Sequence, residues 1–166
     1  MNLKETIITT EKESTYKLKS LLEQYKDKLV VVVATTCSGK TTFLKSIKNA
    51  HDMDNLMFWT SNSPSLLSKE EKDYVCQKLR TQEIGRTMTK RTKERIKVKK
   101  GKPLFWTVVL DSDIIINLKI EDELLKERTE KRNVDFKNAK NMQKSIENEL
   151  KESDAEVIEF VITKEK

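Results

Sequence analysis

Cysteine, histidine, proline and glycine are all scarce in this chain of 166 residues, which has two Cys, one His, two Pro and three Gly. Cys37 and Cys76 stand far apart in unrelated contexts, so no disulfide is expected and a reducing, cytoplasmic setting fits. The single histidine, His51, has no Cys or His beside it, which argues against a zinc site. No apolar run approaches the roughly 18 residues that a membrane-spanning helix needs, so no membrane association is expected. The opening stretch MNLKETIITTEKES is polar and lacks the apolar core of a secretion signal. There are no repeats and no low-complexity linker, and Pro64 and Pro103 are the only prolines. One domain over 1–166 is therefore expected, with 1–28 as an N-terminal strand–helix extension and 29–166 as the core.

Charge is abundant, at 36% of residues, and the mean hydropathy is −0.66. It is also uneven. Residues 86–102 (RTMTKRTKERIKVKKGK) hold nine Lys or Arg against one Glu, a local net of +8 in a chain of net +6. The rest of the chain is thus slightly acidic. A segment of this kind calls for an anionic partner, either phosphate groups or a nucleic acid. Aromatics interleaved with the charge would favour stacking on single-stranded bases, but none occurs between Tyr74 and Phe105. A solvated helix face is the alternative. Phe58, Trp59, Phe105 and Trp106 are expected in the core rather than on a base-stacking surface.

The most informative stretch is LVVVVATTCSGKTTFLK, residues 29–45. An apolar run at 29–33 is followed by small residues, then Gly39-Lys40-Thr41, then a helix-like segment. Strand, small-residue loop, Lys-Thr and helix form the order in which backbone N–H groups cradle a phosphate chain. Thr36, Cys37, Ser38, Gly39, Lys40, Thr41 and Thr42 are the expected phosphate contacts. Lys40 would reach the outer phosphates, and the Thr41 hydroxyl would hold Mg²⁺. The usual pattern begins with glycine, where this chain has Ala34, and often has another glycine where it has Cys37. Only Gly39 remains to supply close approach or positive φ.

Elsewhere, residues 14–28 read as a helix with Leu18, Leu21, Leu22 and Tyr25 on one face, preceded by a short strand or frayed start. The run 29–33, apolar throughout, suits a strand of a parallel sheet covered on both faces. A helix is expected over 42–49. Ser68 with Glu71 three residues on has the form of a capping box. The helix it opens is expected to run, with a break at Gly85, to about Lys100, where Gly101-Lys102-Pro103 stops it. Strand-like runs occur at 104–110, 114–120 and 157–162. A parallel crossover needs about a dozen residues, which Asp111-Ser112-Asp113 cannot supply, so either the strand is only about 103–106, the preferred reading, or 104–110 and 114–120 form one hairpin. Helices are expected after Glu121 and around Phe136 to Leu150. The alternation indicates an α/β fold, a doubly wound, mainly parallel five-stranded sheet flanked by helices.

Two further groups carry candidate chemistry. Asp52 and Asp54, soon after the loop's helix, could take a proton from an attacking hydroxyl or fix a metal-bound water. The alternative is a helix cap or solvated turn. Arg128 and Arg132, four residues apart on a predicted helix, could clamp phosphate oxygens. Alternatively they belong to a salt-bridged surface helix with Glu127 and Glu130. Asp111, after Val108-Val109-Leu110, could also ligate Mg²⁺ at a strand end, a reading that conflicts with the short strand.

In motif order, residues 29–162 resemble the small P-loop kinases of the adenylate kinase and shikimate kinase type, within the P-loop NTPases. The resemblance implies an ATP-dependent kinase using Mg²⁺. Lys40 and Thr41 would lie on ATP and magnesium, Asp52 or Asp54 on the acceptor side, and Arg128 and Arg132 on a basic lid helix. It also implies a basic residue on the acceptor's anionic group, for which Arg80, Arg86 and Arg91 are candidates. The foremost substrate is a nucleoside or deoxynucleoside monophosphate. The alternatives are a 5′-hydroxyl polynucleotide kinase and, because of the missing glycines, a non-catalytic nucleotide- or nucleic-acid-binding protein.

Overall fold

In a computed structural model, residues 2–35, 39–47, 49–52, 68–75, 81–106 and 109–164 are described. The strands are β1 (Asn2–Thr10), β2 (Val30–Ala34), β3 (His51–Asp52), β4 (Leu104–Trp106), β5 (Ile114–Ile120) and β6 (Glu156–Thr163). The helices are α1 (Glu11–Gln24), α2 (Lys40–Ser46), α3 (Lys69–Val75), α4 (Gln82–Arg95), α5 (Asp122–Lys131) and α6 (Phe136–Glu152). The strands form one sheet in the order β1-β6-β5-β2-β4-β3, and every described pairing is parallel. Five strands have three or more residues, and the two-residue β3 lies at an edge.

The apolar run after Leu29 becomes the centre of the sheet. All five residues of β2 are buried, as a strand covered on both faces requires. Period two sends Val30, Val32 and Ala34 to one face and Val31 and Val33 to the other. The first face packs against Leu18, Leu21 and Leu22 of α1, Phe43 of α2 and Leu124 and Leu125 of α5. The second packs against Ile84 of α4 and Ile146 and Leu150 of α6. Two helical layers therefore enclose a parallel sheet, consistent with doubly wound architecture. Phe105 is fully buried in the first cluster, as expected of a core aromatic.

The remaining differences from the sequence reading have local causes. The N-terminal segment forms a nine-residue edge strand because it pairs in parallel with β6 from Asn2 to Thr10, with one register shift at Lys4. The first helix starts three residues earlier than its apolar face implies, with two acidic residues in its first turn. The Ser68 capping box is present. Glu71 N–H donates to Ser68 Oγ at 3.1 Å, and Ser68 N–H donates to a Glu71 carboxylate oxygen at 3.0 Å. The single helix expected from Ser68 is instead two, α3 and α4, and α4 opens after Thr81, whose hydroxyl accepts from Ile84 N–H at 3.2 Å. Gly85 does not break α4, which ends at Arg95 rather than Lys100. The lysines beyond it form a turn, in which Gly101 takes a φ of +73°.

The shorter reading of the strand at 104–110 holds, since β4 ends at Trp106. Its parallel neighbour β2 lies between it and β5. The chain crosses within residues 107–113, shorter than the usual helical crossover. A three-residue strand needs little return path, and Val109 and Leu110 are buried along the second face as the chain comes back. Asp113 closes the crossing. Its carboxylate accepts from Leu29 N–H at 2.9 Å, and its own N–H donates to the Leu29 carbonyl at 2.9 Å. Its carbonyl accepts from Glu156 N–H at 3.1 Å, so one residue ties the amino ends of β2, β5 and β6.

Candidate functional site

The carboxyl end of the central strand is where ligands collect in open parallel sheets. There the order reverses: the chain leaves β2 towards β4 and β3, and leaves β5 towards β6. Thr35, next after β2, is buried. Gly39 follows at the head of α2 with a φ of +89°, a left-handed conformation. Only glycine adopts it without a Cβ penalty. The Gly39 carbonyl accepts the first helical hydrogen bond, from Phe43 N–H at 3.1 Å, and Phe43 is buried beneath it. The glycine retained in a glycine-poor loop therefore stands where the backbone needs it.

Arg128 reaches this place from α5. A Cβ built on Gly39 would lie 3.5 Å from Arg128 Nη1, so the guanidinium borders the turn. Arg128 Nη2 also lies 3.3 Å from Glu11 Oε2, at the first residue of α1. The arginine is three-quarters buried, which lowers the local dielectric and strengthens its field at Gly39. The placement of α5 follows from its apolar side: Leu124, Leu125 and Thr129 are buried, and the Thr129 hydroxyl donates to the Lys126 carbonyl at 3.0 Å. Arg132, one turn on, is the exposed C-cap residue.

The other candidates are distributed as follows. Thr36, Cys37, Ser38, Asp54 and Arg80 lie outside the described residues, as do Phe58 and Trp59. Lys40 and Thr41 occupy the first turn of α2, where the sequence expects them, and their side chains lie outside the description. Thr42 is exposed. Asp52 ends β3 and pairs with Phe105, level with Val32 of β2. It thus lies two strands from β2, or roughly 10 Å by sheet spacing. Arg86 lines a groove at the amino ends of the strands, away from Gly39. Arg91 bridges α3 and α4, with Nε 3.0 Å from Glu71 and Nη1 3.3 Å from Glu94. Asp111 also lies at the amino end of β5, exposed and 3.4 Å from Lys93. That position separates it from Gly39 by the length of the sheet.

The structure therefore brings together Gly39 and Arg128, and adds Glu11. No sequence signal points to Glu11, because its partner is 117 positions away. Among the described residues no group of three or more His, Cys, Asp or Glu could hold a metal ion. A magnesium ion held by one hydroxyl and by phosphate oxygens needs no such cluster. No described helix is long and apolar enough to cross a membrane. Comparison of the chain with protein-family models, curated proteins and solved structures finds no match.

Proposed function

We propose that this protein is an ATP-dependent phosphotransferase of the P-loop kinase kind, with a nucleoside or deoxynucleoside monophosphate as the foremost acceptor. The observation that carries the reading is the convergence at the end of β2. A buried central strand leads to a left-handed glycine, a Lys-Thr helix start and a guanidinium from a separate helix. The strand order supports it, since the loop leaves the sheet at its topological switch point.

Gly39, Lys40 and Thr41 would hold the ATP phosphates and Mg²⁺, with Thr41 as the protein's metal ligand. The left-handed glycine fits this role, since it lets the backbone approach an anion closely. ATP supplies the γ-phosphoryl group. The bond from phosphorus to the acceptor oxygen forms as the bond to the β-phosphate oxygen breaks, and ADP leaves. Arg128 would neutralise charge on the transferring group, and its ion pair with Glu11 orients it. A monophosphate acceptor is already nucleophilic and needs no base. For an alcohol acceptor, such as the 5′-hydroxyl of a polynucleotide, Asp52 or Asp54 would take the proton.

The test is a panel of nucleoside monophosphates, sugars and 5′-hydroxyl oligonucleotides with labelled ATP, run on the wild type and Lys40→Ala. Transfer to one acceptor class, abolished by Lys40→Ala, is the expected result. ATP affinity unchanged by Lys40→Ala would remove the phosphate-loop assignment. ATP binding without transfer to any acceptor would favour a non-catalytic nucleotide-binding protein.

A further inference from the structure

At the opposite pole from Gly39, a groove of about 930 Å³ opens at the amino ends of the strands. Its lining includes five cations, Arg86, Lys90 and Lys93 of α4 with Lys28 and Lys4 at the feet of β2 and β1. Six carboxylates line it too, those of Asp111, Asp113, Glu149, Glu152, Asp154 and Glu156. Most carboxylates here are already engaged. Glu156 holds Lys4 at 3.0 Å, Asp111 faces Lys93 at 3.4 Å, Asp113 accepts from Leu29 N–H, and Glu149 faces Val109 N–H at 3.5 Å. Lys28, Arg86 and Lys90 have no carboxylate within ion-pair distance among the described residues.

The basic side chains do not stop at the groove. The Lys99–Lys102 turn packs against the end of α1, where a Cβ on Gly101 would lie 3.6 Å from the Lys26 carbonyl. A neighbouring cavity of about 250 Å³ is lined by Lys19, Lys26 and Lys28 together with Gly101 and Pro103. Lys28 borders both cavities. Two basic runs far apart in sequence thus join into one rim, from Arg86 through Lys90 and Lys28 to Lys99, Lys100 and Lys102. All six of these side chains are exposed.

We infer that this rim binds the phosphodiester backbone of a nucleic acid, at a surface remote from the nucleotide site and without reading bases. β5 spans seven residues between the two poles, roughly 20 Å, so the rim cannot serve an acceptor at Gly39. Arg86, Lys90 and Lys93 recur at i, i+4 and i+7 along one side of α4, a ladder of charge suited to a repeating anion. The basic segment carries no aromatic residue, so backbone charge rather than base stacking must supply the binding. A membrane surface fits less well. The site is concave, and among the described residues the exposed large apolar ones, Leu3, Ile8 and Tyr16, lie on β1 and α1 rather than on the rim.

The experiment measures binding of the full chain to a fluorescent single-stranded oligonucleotide, a duplex, anionic phosphatidylserine vesicles and polyglutamate. Salt is varied from about 50 to 200 mM, the range over which backbone contacts weaken steeply. The test variant is Lys28→Glu/Lys90→Glu/Lys100→Glu. A Lys→Gln triple variant at the same positions separates charge loss from misfolding, and circular dichroism checks both. Expected are sequence-independent oligonucleotide binding, a loss of about tenfold or more in either folded variant, and a salt slope reduced by about 2. Arg128→Ala should leave this binding unchanged. No oligonucleotide binding at low salt, an unchanged affinity in the folded variants, or tighter binding to vesicles or polyglutamate would overturn the inference. None of these outcomes bears on ATP transfer, which the acceptor panel reads separately.

Discussion

Arg128 lies between two anchors far from it in sequence, with Glu11 Oε2 3.3 Å from one guanidinium nitrogen and the Gly39 turn beside another. The N-terminal strand and helix thereby become part of the candidate site. α1 begins where β1 ends, and Glu11 is its first residue. A partly exposed pair of this kind contributes on the order of 0–1 kcal/mol to stability, so its main effect is on where the guanidinium points.

The first prediction separates the roles of these two residues. Arg128→Ala should lower phosphoryl transfer by about 10²–10³-fold, the usual cost of removing one donor to a developing charge. Glu11→Gln should change kcat only a few fold, and should have no further effect in the Arg128→Ala background. A double-mutant cycle on kcat and on ATP affinity measures this coupling. Additive effects would mean that Glu11 does not act through Arg128.

Gly39→Ala tests the left-handed turn. With φ at +89° the added Cβ is strained wherever it finds room, at a cost of about 1–2 kcal/mol. The melting temperature should fall by about 2–4 °C per kcal/mol in a chain of this size. ATP affinity should fall as well. Gly101→Ala, also at positive φ, should cost similar stability and leave ATP affinity unaltered.

Asp113 should prove structural. Asp113→Ala removes the acceptor for Leu29 N–H and should cost about 1–2 kcal/mol, read by urea unfolding. Asp113→Asn keeps an acceptor oxygen and should recover most of it. Neither change should alter metal dependence, because this aspartate lies at the amino end of the sheet.

The pH dependence has a predicted alkaline component. Lys119 of β5 lies 3.0 Å from Glu147 and 3.4 Å from Glu159. Partial burial by itself would lower its pKa, but the hydrogen bond and charge of Glu147, aided by Glu159, outweigh it and raise the pKa above 10.5. A lysine raised in the folded state contributes its stability fully below the unfolded value. That contribution is lost as pH climbs through the folded value. Unfolding free energy should therefore fall above pH 10.5, and Lys119→Met should flatten that part of the profile. An unchanged slope in the variant would remove the assignment to Lys119.

Local features were legible in the amino-acid order wherever short-range physics decides. The Ser68–Glu71 capping box, the uniformly apolar β2 and the bounds of β5 need only neighbours in the chain. The choice between a long and a short strand at 104–110 also came down to connection length. Helix ends were less legible. α4 stops at Arg95, and the lysine-rich continuation reaches a turn against Lys26, a contact 75 positions away in sequence.

By itself, the sequence determined an alternating α/β chain, a left-handed-capable glycine after a buried strand, and a concentrated positive charge at 86–102. Tertiary structure alone decided that β1 extends the sheet at its edge, that Arg128 comes to Gly39, and that Glu11 holds it. It also decided that the basic segment joins Lys26 and Lys28 at the far pole. The reason is physical. Propensity, capping and period act over a few residues, whereas strand order sets which distant charges share a surface. That order is chosen by burying both faces of the sheet at once.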